Sequence, residues 1–157
     1  MLSTHHPKGY IVKLSIPIIL GLILSFSSPQ MSAADSKINV SHAWVQEGPP
    51  SAEVLAGYMD LKNQSPQAQT LLGARSTDFK SVLLHQTVSK GGMAHMNHTP
   101  QIEIKPGSTL QLIPGGYHLM LMNPKKGLRQ GDQVEVLLEF KGGLVVPVKL
   151  KVSKEQP

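Results

Sequence analysis

The chain has 157 residues, a length that supports one domain of ordinary size. Hydrophobic residues make up 40% and charged residues 16%, so the composition excludes an intrinsically disordered protein and a highly charged helix. Cysteine is absent, which excludes a disulfide-stapled fold, a thiolate metal site and a cysteine nucleophile.

The N-terminal segment has the features of a secretory signal peptide. Lys8 and Lys13 form a basic region before the 13-residue apolar run at residues 14–26, and Ser32-Ala33-Ala34 is a small-residue cleavage signal. A transmembrane helix needs about 20 apolar residues, so this run is too short to span a membrane. We therefore expect residues 1–34 to be a cleaved signal peptide and residues 35–157 to be one domain in the periplasm, with no lipid anchor and no stable membrane insertion. Cleavage would remove these two lysines and lower the formal net charge of +5. The smaller net charge that remains predicts no nucleic-acid partner.

The rest of the chain is dominated by short runs in which apolar and polar residues alternate, as in half-buried strands. Strands are predicted over 38–46, 55–62, 69–74, 81–88, 101–104, 109–113, 117–122, 134–140 and 144–152. The last two are expected to form a hairpin, and residues 89–100 are expected to form a loop. Eight or nine short strands with Gly- and Pro-rich turns predict an all-β fold, a Greek-key β-sandwich or barrel.

Histidine and methionine are concentrated between residues 85 and 122. This segment contains His85, Met93, His95, Met96, His98, His118, Met120 and Met122, whereas the rest of the expected domain has only His42 and Met59. In a strand, His118 and Met120 point to the same side and start about 6.6 Å apart, so both side chains can converge on one ion. The predicted loop at 89–100 could add a further thioether to the same site.

Imidazole and thioether donors without thiolate or carboxylate form a soft, neutral ligand set. Magnesium and calcium prefer oxygen donors, and zinc sites usually contain cysteine, histidine or carboxylate. Monovalent copper accepts thioether sulfur readily, so the pattern predicts a Cu(I) site. Binding should weaken as the pH falls through about 6, because the histidines must be deprotonated to bind the ion.

His85, Met96, His118 and Met120 reproduce the spacing H-x10-M-x21-H-x-M, and in this the chain resembles the periplasmic copper chaperones called PCuAC. Residues 43–45, 56–61 and 114–122 are also similar to that family, and the resemblance covers about residues 38–152. It implies a cupredoxin-like β-sandwich that binds one Cu(I) through these four residues. It further implies delivery of copper toward the CuA site of cytochrome c oxidase. The CuA-bearing oxidase subunit would then be the acceptor, and a Sco-type protein a partner. Some relatives have a His- and Met-rich C-terminal tail, which residues 152–157 do not resemble.

Several alternatives are open at this point. Met93, His95 and His98 are either outer copper contacts or solvated loop residues, and Met122 either joins the ligands or packs beneath them. Without cysteine, a blue-copper electron-transfer protein is disfavoured, and no Ser/His/Asp arrangement predicts an enzyme. Copper storage or tolerance is the alternative to oxidase assembly, followed by a metal-dependent enzyme and a structural module.

Overall fold

A computed structural model describes residues 37–157, and the predicted signal peptide lies outside them. Regular structure in this part of the chain consists of ten strands, so the all-β prediction is confirmed, with ten strands instead of eight or nine. They are β1 (Ile38–Gln46), β2 (Val54–Asn63), β3 (Gln69–Arg75), β4 (Phe79–Lys90), β5 (Met93–His98), β6 (Ile102–Ile104), β7 (Thr109–Leu112), β8 (Tyr117–Pro124), β9 (Gln133–Phe140) and β10 (Val145–Ser153). Between residues 37 and 157 there is no helix of the length and apolarity needed to cross a membrane.

The segment predicted to be a loop after β4 is instead the second arm of a hairpin. Gly91 and Gly92 make a two-residue turn with φ of +61° and +80°, and β5 runs back along β4 with Met93 opposite Lys90. Positive φ at both turn residues is the geometry that matches the twist of the flanking strands. The loop prediction was wrong because all six residues of β5 are exposed, so the segment lacks the apolar–polar alternation that marks a half-buried strand.

The strands form one sheet in the order β5-β4-β8-β7-β2-β1-β10-β9-β3-β6. Ala74 of β3 pairs with Val82 of β4, which joins strands near the two ends of this order and gives the sheet a barrel-like form. Strand pairs are antiparallel except β1 with β10 and β7 with β8. Among the strands described, β5 has a neighbour only on its β4 side and is therefore an edge strand.

Alternating apolar residues supply the hydrophobic core. The predicted hairpin of β9 and β10 is confirmed, and its buried residues are Val134, Val136, Leu138, Phe140, Val146, Val148, Leu150 and Val152. On β8, Leu119 and Leu121 are both fully buried in the core. Burying one leucine contributes about 1.5–3 kcal/mol, so these two residues fix which face of β8 points inward. His118 and Met120 consequently lie on the other face of the strand.

Candidate metal centre

β8 lies inside the sheet and carries two of the four predicted ligands. It pairs with β2 on one side and with β4 on the other, so that Met120 is opposite both Ala56 and Leu83. Residues directly opposite one another in neighbouring strands share a face of the sheet. Because Ala56 has only a methyl side chain, it leaves space beside Met120, and both residues line the same cavity.

This cavity has a volume of about 270 Å³ and brings three predicted ligands together. Its lining residues are Gln46, Glu47, Gly48, Val54, Leu55, Ala56, Met96, His118 and Met120. Met96 comes from the edge strand β5, whereas His118 and Met120 come from the interior strand β8. The fourth predicted ligand, His85, is not part of the lining but lies opposite His118 in the pairing of β4 with β8.

The turn before β8 fixes the orientation of the His118 ring. Gly115 has φ of +77°, and the Gly116 carbonyl that follows accepts hydrogen bonds from the Thr87 backbone N–H at 3.0 Å and from His118 Nδ1 at 3.1 Å. A carbonyl oxygen can only accept, so Nδ1 carries the hydrogen, and Nε2 of the neutral ring keeps its lone pair. The Tyr58 ring is a neighbour of the His118 ring, with ring centroids 6.5 Å apart. His118 therefore has one ring nitrogen prepared to bind a metal, in the way that backbone carbonyls orient metal-binding histidines generally.

The His85 ring lies beside that of His118. The two ring centroids are 6.0 Å apart, and two imidazoles that bind one transition-metal ion through nitrogen at about 2.0 Å have centroids separated by at most roughly 6 Å. His85 Nδ1 is buried and has no hydrogen-bond partner among the described residues. Burial lowers the pKa of His85 below its ordinary value of 6.5, and the His118 and His98 rings lower it further. The ring is therefore neutral at pH 7, with a lone pair free for a ligand.

The other histidines and methionines of the cluster separate by strand face. On β5, Met96 and His98 share one side and Met93 and His95 the other, since side chains alternate along a strand. His98 is opposite His85, with ring centroids 5.7 Å apart. Met122 is on the same face of β8 as Met120 but is not among the residues lining the cavity.

Outside the cluster, His42 and Met59 have structural contacts of their own. His42 pairs with Asp60, with 2.9 Å between Nδ1 and Oδ2. Met59 is buried in the core. Neither residue lines the cavity, so neither adds a donor to it.

Glu47 is a residue of the cavity that the sequence did not single out. One of its carboxylate oxygens, Oε1, accepts the backbone N–H of Gln130 at 3.1 Å, while Oε2 is buried without a partner among the described residues. A carboxylate beside the thioethers gives the cavity a negative charge that attracts a cation. Glu47 follows β1 in a stretch with no metal-binding pattern, so nothing in the sequence distinguishes it from the other acidic residues.

The donors that the structure brings together include thioether sulfur. Within residues 37–157, no group of three or more His, Cys, Asp or Glu side chains is arranged to hold a metal ion. The donors that do meet are one imidazole and two thioethers at the cavity, with the His85 imidazole beside it. Such a set suits a soft ion and is unsuited to magnesium or calcium, which require several oxygen ligands.

In fold and in site, the domain is a cupredoxin-like all-β domain with a histidine–methionine cavity, and the predicted fold class is confirmed. The chain belongs to the LpqE-like family, described as "Putative lipoprotein LpqE-like", whose model matches residues 38–152. It is 37% identical over 117 residues to the putative lipoprotein Lxx21020 of Leifsonia xyli subsp. xyli, an alignment that covers 74% of this chain and 69% of that protein.

Two solved structures extend the comparison. The copper-bound PCuAC domain from PmoF2 is similar with a TM-score of 0.64 and 25% identity, over 76% of this chain and 94% of that domain. The solution structure of CuI-DR1885 from Deinococcus radiodurans is similar with a TM-score of 0.59 and 37% identity, over 72% of this chain and 76% of that one. The first of these structures is a PCuAC domain by its own description, in agreement with the resemblance drawn from the sequence.

Proposed function

We propose that the protein is a copper chaperone of the periplasm that binds one Cu(I) ion through His85, Met96, His118 and Met120. The observation that carries this proposal is the meeting of Met96, His118 and Met120 in one cavity, with the His85 ring beside that of His118. Two imidazoles and two thioethers are soft, uncharged donors, which suit a soft monovalent ion. The similarity to a copper-bound PCuAC domain and to CuI-DR1885 supports the same conclusion.

The chemistry of the four donors favours holding the ion without trapping it. Thioethers need no deprotonation, and histidines bind the ion as neutral rings, so protons compete with the ion only at the two histidines. His118 offers Nε2, and the buried Nδ1 of His85 gains the partner that it lacks. Neutral ligands leave the bound ion with its single positive charge, which an acceptor carrying anionic thiolates can attract.

Export and delivery form the second part of the proposal. The signal-like features of residues 1–34 and the lipoprotein names of the relatives support an exported protein. We infer that it carries copper toward the CuA site of cytochrome c oxidase, with the CuA-bearing subunit as acceptor and a Sco-type protein as a partner. This inference rests on the resemblance to PCuAC. The protein is then a carrier and not an enzyme.

Competition between the purified protein and a Cu(I)-specific chelator tests the binding site. His118→Ala and Met120→Leu should each weaken Cu(I) binding by at least about 100-fold, since even residues that only orient metal ligands contribute 10–100-fold. Met122→Leu is the matched control, because Met122 shares the strand face of Met120 but lies outside the cavity lining. Wild-type affinity in both His118→Ala and Met120→Leu would overturn the proposed site.

Deleting the gene tests delivery. Oxidase assembly predicts low cytochrome c oxidase activity when copper is limiting and recovery when copper is added. Copper storage or tolerance predicts instead that the deletion strain is sensitive to excess copper and has normal oxidase activity. A strain with only the second phenotype would retain copper binding as the function and reject delivery to the oxidase.

A further inference from the structure

Three histidines form a row across β5, β4 and β8. His85 on β4 is directly opposite His98 on one side and His118 on the other. Directly paired residues project from the same face of a sheet, so all three rings lie on one side. The ring centroid of His85 is 5.7 Å from that of His98 and 6.0 Å from that of His118, and both ring pairs are edge-on.

The strands that flank His85 present the same two donor types at the same interval. β8 carries His118 and Met120, and β5 carries Met96 and His98. Residues two apart in a strand share a face, so each flanking strand offers one imidazole and one thioether toward the site. The donor set is therefore five residues, of which the H-x10-M-x21-H-x-M spacing includes only four.

The two flanking strands differ in their access to solvent. His118 is 7% exposed and belongs to an interior strand, whereas Met96 is 64% exposed and belongs to the edge strand β5. Every residue of β5 is exposed, His98 among them. Donors on β5 are therefore more accessible to an acceptor protein than His118 is.

We propose that His98 is a fifth copper donor, which forms with His85 and Met96 an outer site through which Cu(I) enters and leaves the cavity. The proposal rests on the proposed copper-binding function and adds the route of exchange. In the transfer step, a Cu–N bond to His98 forms while the bonds to His118 and Met120 break. All donors bind as neutral groups and copper remains Cu(I), so no electron is transferred.

The outer site favours handover because it has fewer ligands than the inner one. An ion held by His85, Met96 and His98 has three protein ligands and an open position, which a thiolate, thioether or imidazole of the acceptor can occupy. The inner arrangement has four ligands, two of them on the interior strand β8. Ligand exchange at the outer site can therefore begin before the protein has released the ion.

The matched variants are His98→Ala and His95→Ala. Both residues are exposed on β5, but His95 lies on the opposite face of the strand. Protein loaded with Cu(I) is mixed with excess bathocuproine disulfonate, and the rate of copper capture is followed by absorbance. His98→Ala should slow capture by about tenfold, which corresponds to ~1.4 kcal/mol in the barrier. Its equilibrium affinity for Cu(I) should change by less than about threefold, or ~0.7 kcal/mol.

A second measurement observes the His98 ring directly. In NMR spectra of the wild-type protein, Cu(I) loading should shift or broaden the ring resonances of His98, while those of His95 remain unchanged. Capture from His98→Ala at the wild-type rate, with unmoved His98 resonances, would overturn the outer site. A loss of equilibrium affinity as large as that of His118→Ala would also overturn it, because His98 would then be a permanent ligand. In both cases weak binding by His118→Ala would keep the proposed function intact, and wild-type binding by that variant would reject the function itself.

Discussion

Alternation along β8 predicts that copper binding and folding can be separated by mutating adjacent residues. Met120 faces the cavity, and Leu121 faces the core, where it is fully buried opposite Leu55 and Val82. We therefore compare Met120→Leu, which removes a thioether and keeps the side-chain volume, with Leu121→Ala, which removes buried volume and leaves the cavity lining unchanged. Each variant should impair one property and spare the other.

The structure sets the size of both effects. Replacing a buried leucine by alanine costs about 2–5 kcal/mol, because the lost transfer free energy adds to the cost of the cavity left behind. A loss of about 3 kcal/mol lowers the melting temperature of a domain of this size by roughly 10 °C. Exchange of methionine for leucine conserves volume and usually costs less than about 1.5 kcal/mol. Met120→Leu should nevertheless lose Cu(I) affinity by at least about 100-fold, since the sulfur is gone.

Thermal unfolding of the metal-free proteins and chelator competition measure the two properties separately. Leu121→Ala should melt well below the wild-type protein yet bind Cu(I) with near wild-type affinity at a temperature where it is folded. Met120→Leu should melt near the wild-type temperature and fail to compete for Cu(I). Large destabilisation by Met120→Leu, or a weak site in folded Leu121→Ala, would refute the assignment of the two faces of β8.

Three further predictions concern oxidation, pH and charge. Mild peroxide should oxidise exposed Met96 before half-buried Met120. Oxidation should impair Cu(I) capture, because a polar sulfoxide replaces a soft thioether donor. Equal Cu(I) uptake before and after treatment, with the sulfoxide verified by mass spectrometry, would contradict this prediction. The pKa of His85 is lowered on folding, so as the pH falls below 6.5 the unfolded chain takes up the proton first and the free energy of unfolding falls. Denaturant titrations of His85→Gln should therefore show a weaker pH dependence than those of the wild-type protein. An unchanged pH dependence would contradict the lowered pKa of His85. Glu47→Gln should weaken Cu(I) binding by up to about 1 kcal/mol, with Glu53→Gln as a control outside the cavity, and equal affinity of the two variants would exclude a role for the carboxylate.

The interior strands of the fold were predictable because apolar and polar residues alternate along them. The alternation of Val134 to Phe140, and of Val146 to Val152, reflects one face in the core and one in solvent, and the structure has these strands as predicted. The same alternation placed His118 and Met120 together and away from the core. These features depend on local sequence and on burial, and both leave a pattern.

β5 was not predictable by the same logic, because an exposed edge strand has no buried face to produce a pattern. The signal that could have identified it is Gly91-Gly92, since two glycines between two extended runs are typical of a two-residue hairpin turn. That turn fixes the pairing of Lys90 with Met93 and hence of His85 with His98. Glu47 left no such signal, because its place in the cavity depends on the pairing of β1 with β2, which in turn pairs with β8.

The turn at Gly91-Gly92 also determines which side chains of β5 face His85. A two-residue connection is the tightest that hairpins commonly use, and with this turn Met96 lies opposite Thr87, on the same face of the sheet as His85. Deleting either glycine would force the returning strand to slip by one position, and a slip of one position rotates every side chain to the opposite surface. Met96 and His98 would then both face away from His85. Inserting one residue at the hairpin tip would have the same effect, so the two-glycine turn determines that these donors face His85.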